Sequence, residues 1–344
     1  DWYDSNRDLF PWRKTTDPYK IWVSEIMLQQ TQVTTVRPFY NAWIKKFPSL
    51  KDVASASDQD IFKYWEGLGY YKRANNLREA CLQVLNNYKG KIPTDQSDLI
   101  KLKGIGDYTS AAIASIAFNK PIPAIDGNIK RVLSRILCLN NFLTKSKNKM
   151  NIFLSSVISQ NKPGDFNQGL MDLGREICTP KKPKCEICPV SNFCKSYKTN
   201  RTAYYPVQIK KVKSIPHYDI GVGVIWHNNK ILITKRKKDI LLGGLWEFPG
   251  GKIKDNETIQ ECIKREIKEE LNIQVQVNEF IMKVNHRYSH FKITMEAFNC
   301  KLIKGEPMPI GCTDFRWIFP NEIYKFAFPK ANHKLFNKIY DQSN

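Results

Sequence analysis

The spacing of apolar residues changes near residue 200, and no other feature of the sequence constrains the fold as strongly. Up to about residue 198, apolar residues recur every three or four positions, for example in residues 21–33, 61–64, 77–85 and 129–139. This spacing is the period of amphipathic α-helices, and no convincing strand pattern appears in the same part of the chain. The first part of the chain is therefore predicted to be mainly helical.

The later part of the chain shows the patterns of strands. Residues 221–226 and 230–234 are predicted strands, and the turn residues Asn228 and Asn229 join them. Residues 258–271 have the period of a helix that packs behind these strands. This part is therefore predicted to be an α+β domain.

The two patterns are separated by a segment without clear periodicity. Residues 199–216 are basic and contain Pro206 and Pro216, which is typical of a linker. A chain of 344 residues is also longer than one ordinary core requires. We predict a helical domain at 1–198, a linker at 199–216 and an α+β domain at 217–344.

The formal net charge of +21 makes a polyanionic partner, and nucleic acid first, the natural hypothesis. Lysine and arginine side chains neutralise phosphates and release counterions. A lysine-rich composition spread over every solvated face would give the same charge. Charge alone therefore leaves both interpretations open.

The sequence predicts a soluble protein of a reducing compartment. Its longest purely apolar and small stretch, residues 110–118, is far shorter than the roughly 20 residues of a membrane span. No charged and then apolar leader opens the chain. Because it starts at Asp1, we expect a few native residues before it, and a short targeting signal could be among them. Nine unevenly spaced cysteines argue against a full disulfide framework.

Four of the nine cysteines lie within residues 178–194, interleaved with lysines. Four thiolates at such short spacing indicate a metal site. Zinc and iron–sulfur clusters both accept four cysteines, so the spacing does not decide between them. The four predicted ligands are Cys178, Cys185, Cys188 and Cys194.

Glu25 is a candidate general acid. It lies in a segment that is apolar on most of its circumference, so its helix is predicted to be largely buried. Burial raises the pKa of a carboxyl group and keeps it protonated near neutral pH. A glutamate turned to solvent or paired with an arginine is the alternative. The polar residues Gln29, Gln30 and Thr31, which follow, are interpreted as binding groups.

Two glycines and a second carboxylate follow. Gly104 and Gly106 precede an alanine-rich helix, as expected where a backbone approaches a phosphate and offers its amides at a helix N-terminus. Asp126 opens another predicted helix, where it is either a helix cap or an ionised carboxylate that stabilises positive charge in a substrate. One protonated and one ionised carboxyl group form the pair that cleavage through an oxocarbenium-like sugar requires.

The order of hairpin, Asp126 and cysteine group resembles the helix-hairpin-helix DNA glycosylases, which extrude a base before acting on it. Within that superfamily, residues 9–13, 22–32 and 67–71 resemble the adenine glycosylases of the MutY family. The resemblance implies a helix-hairpin-helix fold at the N-terminus with one four-iron four-sulfur cluster on the four cysteines. The role expected of the cluster is structural, bracing a basic loop against the DNA backbone.

The resemblance also implies residue roles. Glu25 would protonate adenine on its five-membered ring, Asp126 would stabilise the sugar cation, and Tyr108 and Asn128 would support them. Relatives of the endonuclease III type carry a lysine in place of Tyr108 and form a Schiff base with it. Its absence predicts a monofunctional glycosylase.

Further residues resemble binding positions of the family. Trp12, Arg13 and Gln168 resemble adenine-pocket residues. The residues that resemble those entering the duplex and touching the opposite base are Gln30, Thr31, Leu68 and Tyr70.

The C-terminal part contains a motif that resembles the Nudix box, from Gly251 to the end of the predicted helix, departing from it only at Asn272. In that box glutamates at helical spacing bind magnesium, and Glu266, Glu269 and Glu270 would share one helix face here. A charged, solvated helix is the alternative. Many MutY proteins lack these acids and use the domain only for recognition of 8-oxoguanine. This sequence keeps them, so residual triphosphate hydrolysis stays open.

Residues 286–291 resemble the loop with which the MutY C-terminal domain recognises 8-oxoguanine. The predicted contacts are Tyr288, where the family usually has phenylalanine, Ser289 and His290. Ser289 and His290 can each donate and accept hydrogen bonds. Ordinary core packing of an aromatic strand end is the alternative interpretation.

Together these features predict a monofunctional DNA glycosylase that removes adenine paired with 8-oxoguanine or guanine. The expected partner is double-stranded DNA containing that mispair, and the protein is expected to be monomeric and cytoplasmic, associated with a bacterial nucleoid, or in another reducing intracellular compartment. A Nudix-type nucleotide pyrophosphohydrolase tethered to DNA, or an additional activity of that kind, is the alternative. A mismatch-binding protein without activity is a third hypothesis, against which the pair Glu25 and Asp126 argues.

Overall fold

The computed structural model describes residues 2–139, 144–206, 215–288 and 290–342. The helices are α1 (Trp2–Asn6), α2 (Pro18–Leu28), α3 (Val33–Lys46), α4 (Leu50–Ser55), α5 (Asp58–Trp65), α6 (Lys72–Asn87), α7 (Gln96–Leu99), α8 (Asp107–Phe118), α9 (Gly127–Leu137), α10 (Thr144–Val157), α11 (Pro163–Asp172), α12 (Lys195–Lys198), α13 (Ile259–Leu271) and α14 (His333–Asp341). The strands are β1 (His217–His227), β2 (Lys230–Lys235), β3 (Trp246–Glu247), β4 (Gly250–Lys252), β5 (Gln274–Arg287), β6 (Lys292–Lys304) and β7 (Asp314–Ile318).

The chain forms two compact units. The first unit consists of Asp1–Ser55 and Asn75–Lys211, and the second of Ala56–Ala74 and Val212–Asn344. A segment from the helical part of the sequence therefore belongs to the unit that contains the sheet. The predicted domains are continuous stretches of sequence, whereas each of these units combines two separate stretches. The predicted domain boundaries therefore stay a prediction.

The first unit is helical, and its short-range signals are legible in the sequence. Asp17 caps α2 by accepting from the backbone amides of Tyr19 and Lys20, at 2.9 and 3.4 Å. Helix α2 packs against α8, whose alanines permit a close approach. The helical pattern of residues 21–33 is interrupted, because α2 ends at Leu28 and Gln30 takes a left-handed conformation with φ of 57° before α3 begins.

The second unit is built on one mixed sheet. Its main path runs β3-β2-β1-β6-β5, with β4 paired to β1 and β7 to β2. Among the strand pairs of the described residues, β1–β6 is parallel and the others are antiparallel. The predicted turn is confirmed, because Asn228 and Asn229 both have positive φ, 48° and 58°, as tight hairpins require.

Alternate strand residues bury opposite faces of this sheet. Ile231 and Ile233 join a core that includes residues of α14, whereas Leu232 joins a second core that includes residues of α13. The mixed sheet therefore lies between two helices. Among the described residues, no helix is both long enough and apolar enough to cross a bilayer.

Candidate active site

Glu25 lies on the buried side of α2 and is 5% exposed. The hydroxyl of Tyr108, on α8, donates a hydrogen bond of 2.6 Å to its Oε2. Burial raises the pKa of Glu25 to about 7. The Tyr108 hydrogen bond opposes that rise, and the nearby charge of Asp126 adds to it. The predicted burial of this carboxyl group is confirmed, and at neutral pH it is partly protonated.

Asp126 is the N-cap of α9. Its Oδ1 accepts from the backbone amide of Ile129 at 2.7 Å, and its Oδ2 accepts from Nδ2 of Asn128 at 2.9 Å. Burial raises the pKa of Asp126, and these donors act in the opposite direction without cancelling it. The helix N-terminus stabilises the carboxylate as expected, but burial is the larger effect and the pKa of Asp126 is raised overall. The cap and the candidate catalytic group are the same side chain.

Asn128 is held by Arg131, which also binds a segment distant in sequence that the sequence did not indicate. Its Oδ1 accepts a hydrogen bond of 2.9 Å from Arg131, which also donates to the carbonyl of Gly174 at 2.6 Å. A Cβ atom on Gly174 would lie 2.7 Å from Cβ of Asn128. The close approach of these two segments therefore requires glycine at position 174.

The hairpin before α8 has the predicted form. Gly104 has a φ of 76°, and an added Cβ would lie 2.7 Å from Cβ of Asn76. Gly106 is the N-cap of α8, and its position has open space around it. The first turn of α8 therefore offers backbone amides beside an open glycine, which suits a phosphate.

The residues that resemble an adenine pocket lie in the first unit. Arg13 makes a bidentate ion pair with the buried Asp172, at 2.6 and 2.7 Å, so the position of its guanidinium group is fixed. Trp12 is buried and stacks on Phe10 with ring centroids 5.1 Å apart. Gln168 is half-buried, and its Nε2 donates to the carbonyl of its own helix at Gly164.

The residues expected to enter the duplex are divided between the units. Gln30 is exposed and Thr31 half-buried in the turn after α2 of the first unit. Leu68 and Tyr70 follow α5 in the second unit, where Leu68 is 5% exposed. In the same unit, the hydroxyl of Tyr70 lies 3.4 Å from Nε2 of His290.

Residues 286–287 end β5 of the second unit, and residues 288, 290 and 291 lie between β5 and β6. Tyr288 stacks on Phe291 with centroids 4.6 Å apart and packs against the core on the α14 side. His290 is exposed. Ser289, the third predicted contact, lies outside the described residues. The core-packing interpretation of Tyr288 and the binding interpretation are compatible, because the side chain is only half-buried.

The four predicted cysteine ligands line one cavity of the first unit, together with apolar side chains such as Ile177 and Val190. Nη1 of Arg135 lies 3.2 Å from Sγ of Cys178, which suits a thiolate. Burial raises the pKa of the Cys185 and Cys188 thiols, so their deprotonation is coupled to binding of a metal group. Across the residues with described positions, no three His, Cys, Asp or Glu side chains converge as they would on a single ion. Four thiols around one cavity fit a multi-atom metal group that occupies the cavity better than a single ion.

Three family profiles match this chain in separate regions. The HhH-GPD superfamily of base excision DNA repair proteins matches residues 23–160, and the iron-sulfur binding domain of endonuclease III matches residues 178–194. The NUDIX domain matches residues 221–338. A solved structure of a thermostable thymine-DNA glycosylase has a TM-score of 0.54 and 33% identity, and the likeness covers 58% of this chain and 92% of that one.

Relatives that match most of this chain decide the family. The adenine DNA glycosylase of Buchnera aphidicola (strain Sg) is 37% identical over 85% of this chain and 83% of that protein. That of Rattus norvegicus is 30% identical over 99% of this chain and 77% of that protein. The chain belongs to the adenine DNA glycosylase family. It spans about half, 51%, of the adenine DNA glycosylase of Arabidopsis thaliana, to which it is 36% identical.

Family membership confirms several predictions. This glycosylase is a base excision repair enzyme that acts on DNA. Its fold is confirmed as a helix-hairpin-helix N-terminal part followed by an α+β Nudix-like part. The match at residues 178–194 decides between the metals left open by the spacing and identifies an iron–sulfur cluster.

The Nudix-like acids of this glycosylase are engaged differently from one another. Arg265 pairs with Glu257, with Glu266 at 2.7 Å and with the exposed Glu269 at 3.3 Å. Glu270 is half-buried, and burial raises its pKa to about 8, with added contributions from the charges of Glu247 and Glu266. The helix face predicted to carry all three acids is thus divided. Glu266 and Glu269 pair with Arg265, whereas Glu270 is half-buried near other carboxylates.

Several residues that shape the sites of this glycosylase are not indicated by the sequence. They are Glu66, Arg131, Arg135, Asp172 and Gly174. Arg131 and Arg135 are four residues apart on α9, a spacing that places them on one helix face and could have drawn attention to them. The partners of the others are distant in sequence, so no local pattern indicates them.

Proposed function

We propose that this glycosylase hydrolyses the N-glycosidic bond of adenine paired with 8-oxoguanine, or with guanine, and does not cleave the DNA strand. The observation that carries the proposal is the pair of buried carboxyl groups, Glu25 and Asp126, with the Tyr108 hydroxyl bonded to the first. Burial raises the pKa of both groups, and the hydrogen-bond donor to Glu25 is the Tyr108 hydroxyl. The donors to Asp126 are more numerous and include the Ile129 amide and the Asn128 side chain. This difference suits Glu25 as the acid and Asp126 as the carboxylate.

The chemistry follows from these groups. With adenine extruded from the duplex, protonated Glu25 donates its proton to the five-membered ring as the bond between base and sugar breaks. The bonding electrons leave with adenine, and the Asp126 carboxylate stabilises the sugar cation. Water then adds to the sugar and releases a proton. Tyr108 holds Glu25 through a 2.6 Å hydrogen bond, and Asn128 holds Asp126 through one of 2.9 Å.

Strand cleavage is not part of the proposed activity. A lyase of this superfamily type requires an amine that forms a Schiff base with the sugar. Position 108 carries a phenol, and its hydroxyl is committed to Glu25. The product is therefore an abasic site in an intact strand.

Recognition of the opposite base is assigned to the second unit. Leu68 and Tyr70 lie in the same unit as residues 286–288 and 290–291, which we call the lesion loop, and the Tyr70 hydroxyl approaches His290 of this loop. An aromatic ring and an imidazole next to each other offer stacking and hydrogen bonding to an oxidised purine. The proposed partner is a duplex bearing the mispair, bound by a monomer in a DNA-containing, reducing compartment such as the bacterial cytoplasm and nucleoid.

The iron–sulfur cluster is proposed to be a single four-iron four-sulfur cluster held by Cys178, Cys185, Cys188 and Cys194. When bound, such a cluster crosslinks the loop that carries its cysteines. Arg135 secures that loop independently, because it donates to the carbonyls of Thr179 at 2.8 Å and Pro180 at 3.0 Å. The cluster's proposed role is to hold exposed lysines of this loop, such as Lys181 and Lys182, toward the DNA backbone.

The test uses a duplex with adenine opposite 8-oxoguanine, followed by alkali. We expect strand breakage only after alkali, and a loss of excision of about 100-fold or more in Glu25→Gln and Asp126→Asn. Glu79→Gln is the matched control, because it makes the same change on the exposed surface of the first unit. Cleavage without alkali together with a borohydride-trapped adduct would show a lyase, and normal excision by Glu25→Gln would refute the mechanism.

A second activity is favoured by one observation in the Nudix-like part. Within the described part of the chain, the buried Oε2 of Glu270 has no hydrogen-bond partner, and the charges of Glu247 and Glu266 act on this carboxyl group. These carboxylates do not converge in the described residues as they would on a bound ion, so a divalent cation such as magnesium would have to draw them together. Glu269 lies nearer the solvent. We propose nucleoside triphosphate hydrolysis there as the second candidate. Glu25→Gln should keep this activity and Glu270→Gln should lose it.

A further inference from the structure

The loop that carries Leu68 and Tyr70 has no regular backbone pattern. Gly67, Gly69 and Tyr70 all have positive φ, at 104°, 71° and 50°. Side chains fix its internal shape instead: Trp65 Nε1 donates to the carbonyl of Gly69 at 3.0 Å, and Arg73 donates to the carbonyls of Leu68 and Gly69, each at 3.2 Å. These bonds stay within residues 65–73, so they leave open what fixes the loop relative to the rest of its unit.

Glu66 immediately precedes this loop and binds distant parts of the second unit. Its Oε1 accepts from Nε2 of His333 at 2.7 Å and from the backbone amide of Phe328 at 2.9 Å. Its Oε2 accepts from Nζ of Lys63 at 2.7 Å. Burial acts to raise the pKa of Glu66, but these hydrogen bonds outweigh it and the pKa is lowered. The charged form is therefore the form that this site stabilises.

Two of the residues that Glu66 binds pack against the core. Phe328 is fully buried and packs on Phe248 and Phe336. The ring of His333 lies 4.6 Å from that of Phe336, at the start of α14. Glu66 therefore connects the irregular loop to the core on one face of the sheet.

Two other polar contacts of the same segment are weaker anchors. Lys238 pairs with Asp58 at 2.7 Å, but the lysine side chain is 59% exposed. Gln59 donates to the carbonyl of Lys325 at an exposed position. Exposed pairs contribute little to stability, whereas a partly buried carboxylate with three donors is costly to disturb. These two contacts also lie at the start of α5, far along the helix from the loop.

We propose that Glu66 is a positioning residue, which holds Leu68 and Tyr70 against the lesion loop through His333 and the amide of Phe328, and thereby sets the preference for 8-oxoguanine over guanine opposite adenine. The inference rests on the proposed function. It requires no contact between Glu66 and DNA. Tyr70 is four residues from Glu66 and lies 3.4 Å from His290, so a displacement of the loop changes this contact directly.

The experiment measures single-turnover adenine excision from two duplexes, one with 8-oxoguanine and one with guanine opposite adenine. For Glu66→Ala we expect the ratio of the two rates to fall about tenfold, the size of effect that a small misplacement produces. Glu66→Gln keeps an acceptor oxygen but loses the charge, so a smaller fall is expected. His333→Phe keeps the ring packing and removes one donor, and the ratio should again fall. Amide exchange of residues 67–71 should become faster in each.

Glu306→Gln is the matched control, since it changes an exposed glutamate of the same unit. An unchanged ratio in both Glu66→Ala and His333→Phe would overturn the positioning role. If Glu66→Ala fails to fold, His333→Phe decides by the same criterion. No excision from either duplex by the unmodified protein would overturn the proposed function and this inference with it. Equal, measurable rates on the two duplexes would overturn this inference alone.

Discussion

Nε of Arg131 donates a hydrogen bond of 2.8 Å to the carbonyl oxygen of Cys178. The same guanidinium group donates to Oδ1 of Asn128, whose amide nitrogen donates to Asp126. The first cysteine of the iron–sulfur loop is thus connected to the candidate catalytic carboxylate through two side chains. The loop has a structural link to the site without contributing a group to it.

The link predicts that Arg131→Met slows excision by about 10- to 100-fold, because Asn128 and with it Asp126 lose their fixed positions. Arg131→Lys should not restore the rate, since one ammonium group cannot replace a planar fork of donors. Single-turnover rates and iron content are the measurements, with Lys130→Met as control on the same helix. A normal rate in Arg131→Met, with iron retained, would contradict the link.

The pH dependence of excision should report the protonation of Glu25. Because the protonated form donates the proton, the rate is expected to fall as pH rises through about 7, the pKa to which burial raises this group. The Tyr108 hydrogen bond opposes the rise, so Tyr108→Phe should move the midpoint to higher pH. Rate profiles under single-turnover conditions measure both. A midpoint that stays in place or moves down would disagree with the assignment.

Folding stability should depend on the same carboxyl group. The pKa of Glu25 is about 7 in the folded protein and near 4.5 in the unfolded chain. Between these values the folded state binds more protons, so the group's contribution to stability falls as pH rises through this window. Glu25→Gln is therefore expected to be more stable than the unmodified protein at pH values above about 7, with the difference disappearing below pH 4.5. Urea unfolding at several pH values tests this, and a difference independent of pH would contradict it.

Asn272 stands where the Nudix box has glycine, and its backbone conformation shows why asparagine is tolerated at this position. It ends α13 in the left-handed conformation with φ of 56°, which asparagine adopts more readily than most residues. Asn272→Gly should change the free energy of unfolding by less than about 0.5 kcal/mol, whereas Asn272→Val should cost about 1–2 kcal/mol. Equal effects of the two substitutions in urea unfolding would refute this explanation.

Local features of the fold were predictable because their causes are local. The helix cap at Asp126, the turn at Asn228 and Asn229, and the change from helical to strand period are each encoded within a few residues. The spacing of the four cysteines and the burial of Glu25 follow from the same kind of pattern. These features determined the fold class, and together with the resemblance they indicated the chemistry.

The partners of the site residues were decided by tertiary structure. Asp172 reaches Arg13 across 159 positions of sequence, and His333 reaches Glu66 across 267. Burial of Asp126, which sets the sign of its pKa shift, also depends on which helices pack around it. Amino-acid order fixed local conformation and the available functional groups, whereas packing brought distant groups together and excluded water from them, and so determined their charges and positions.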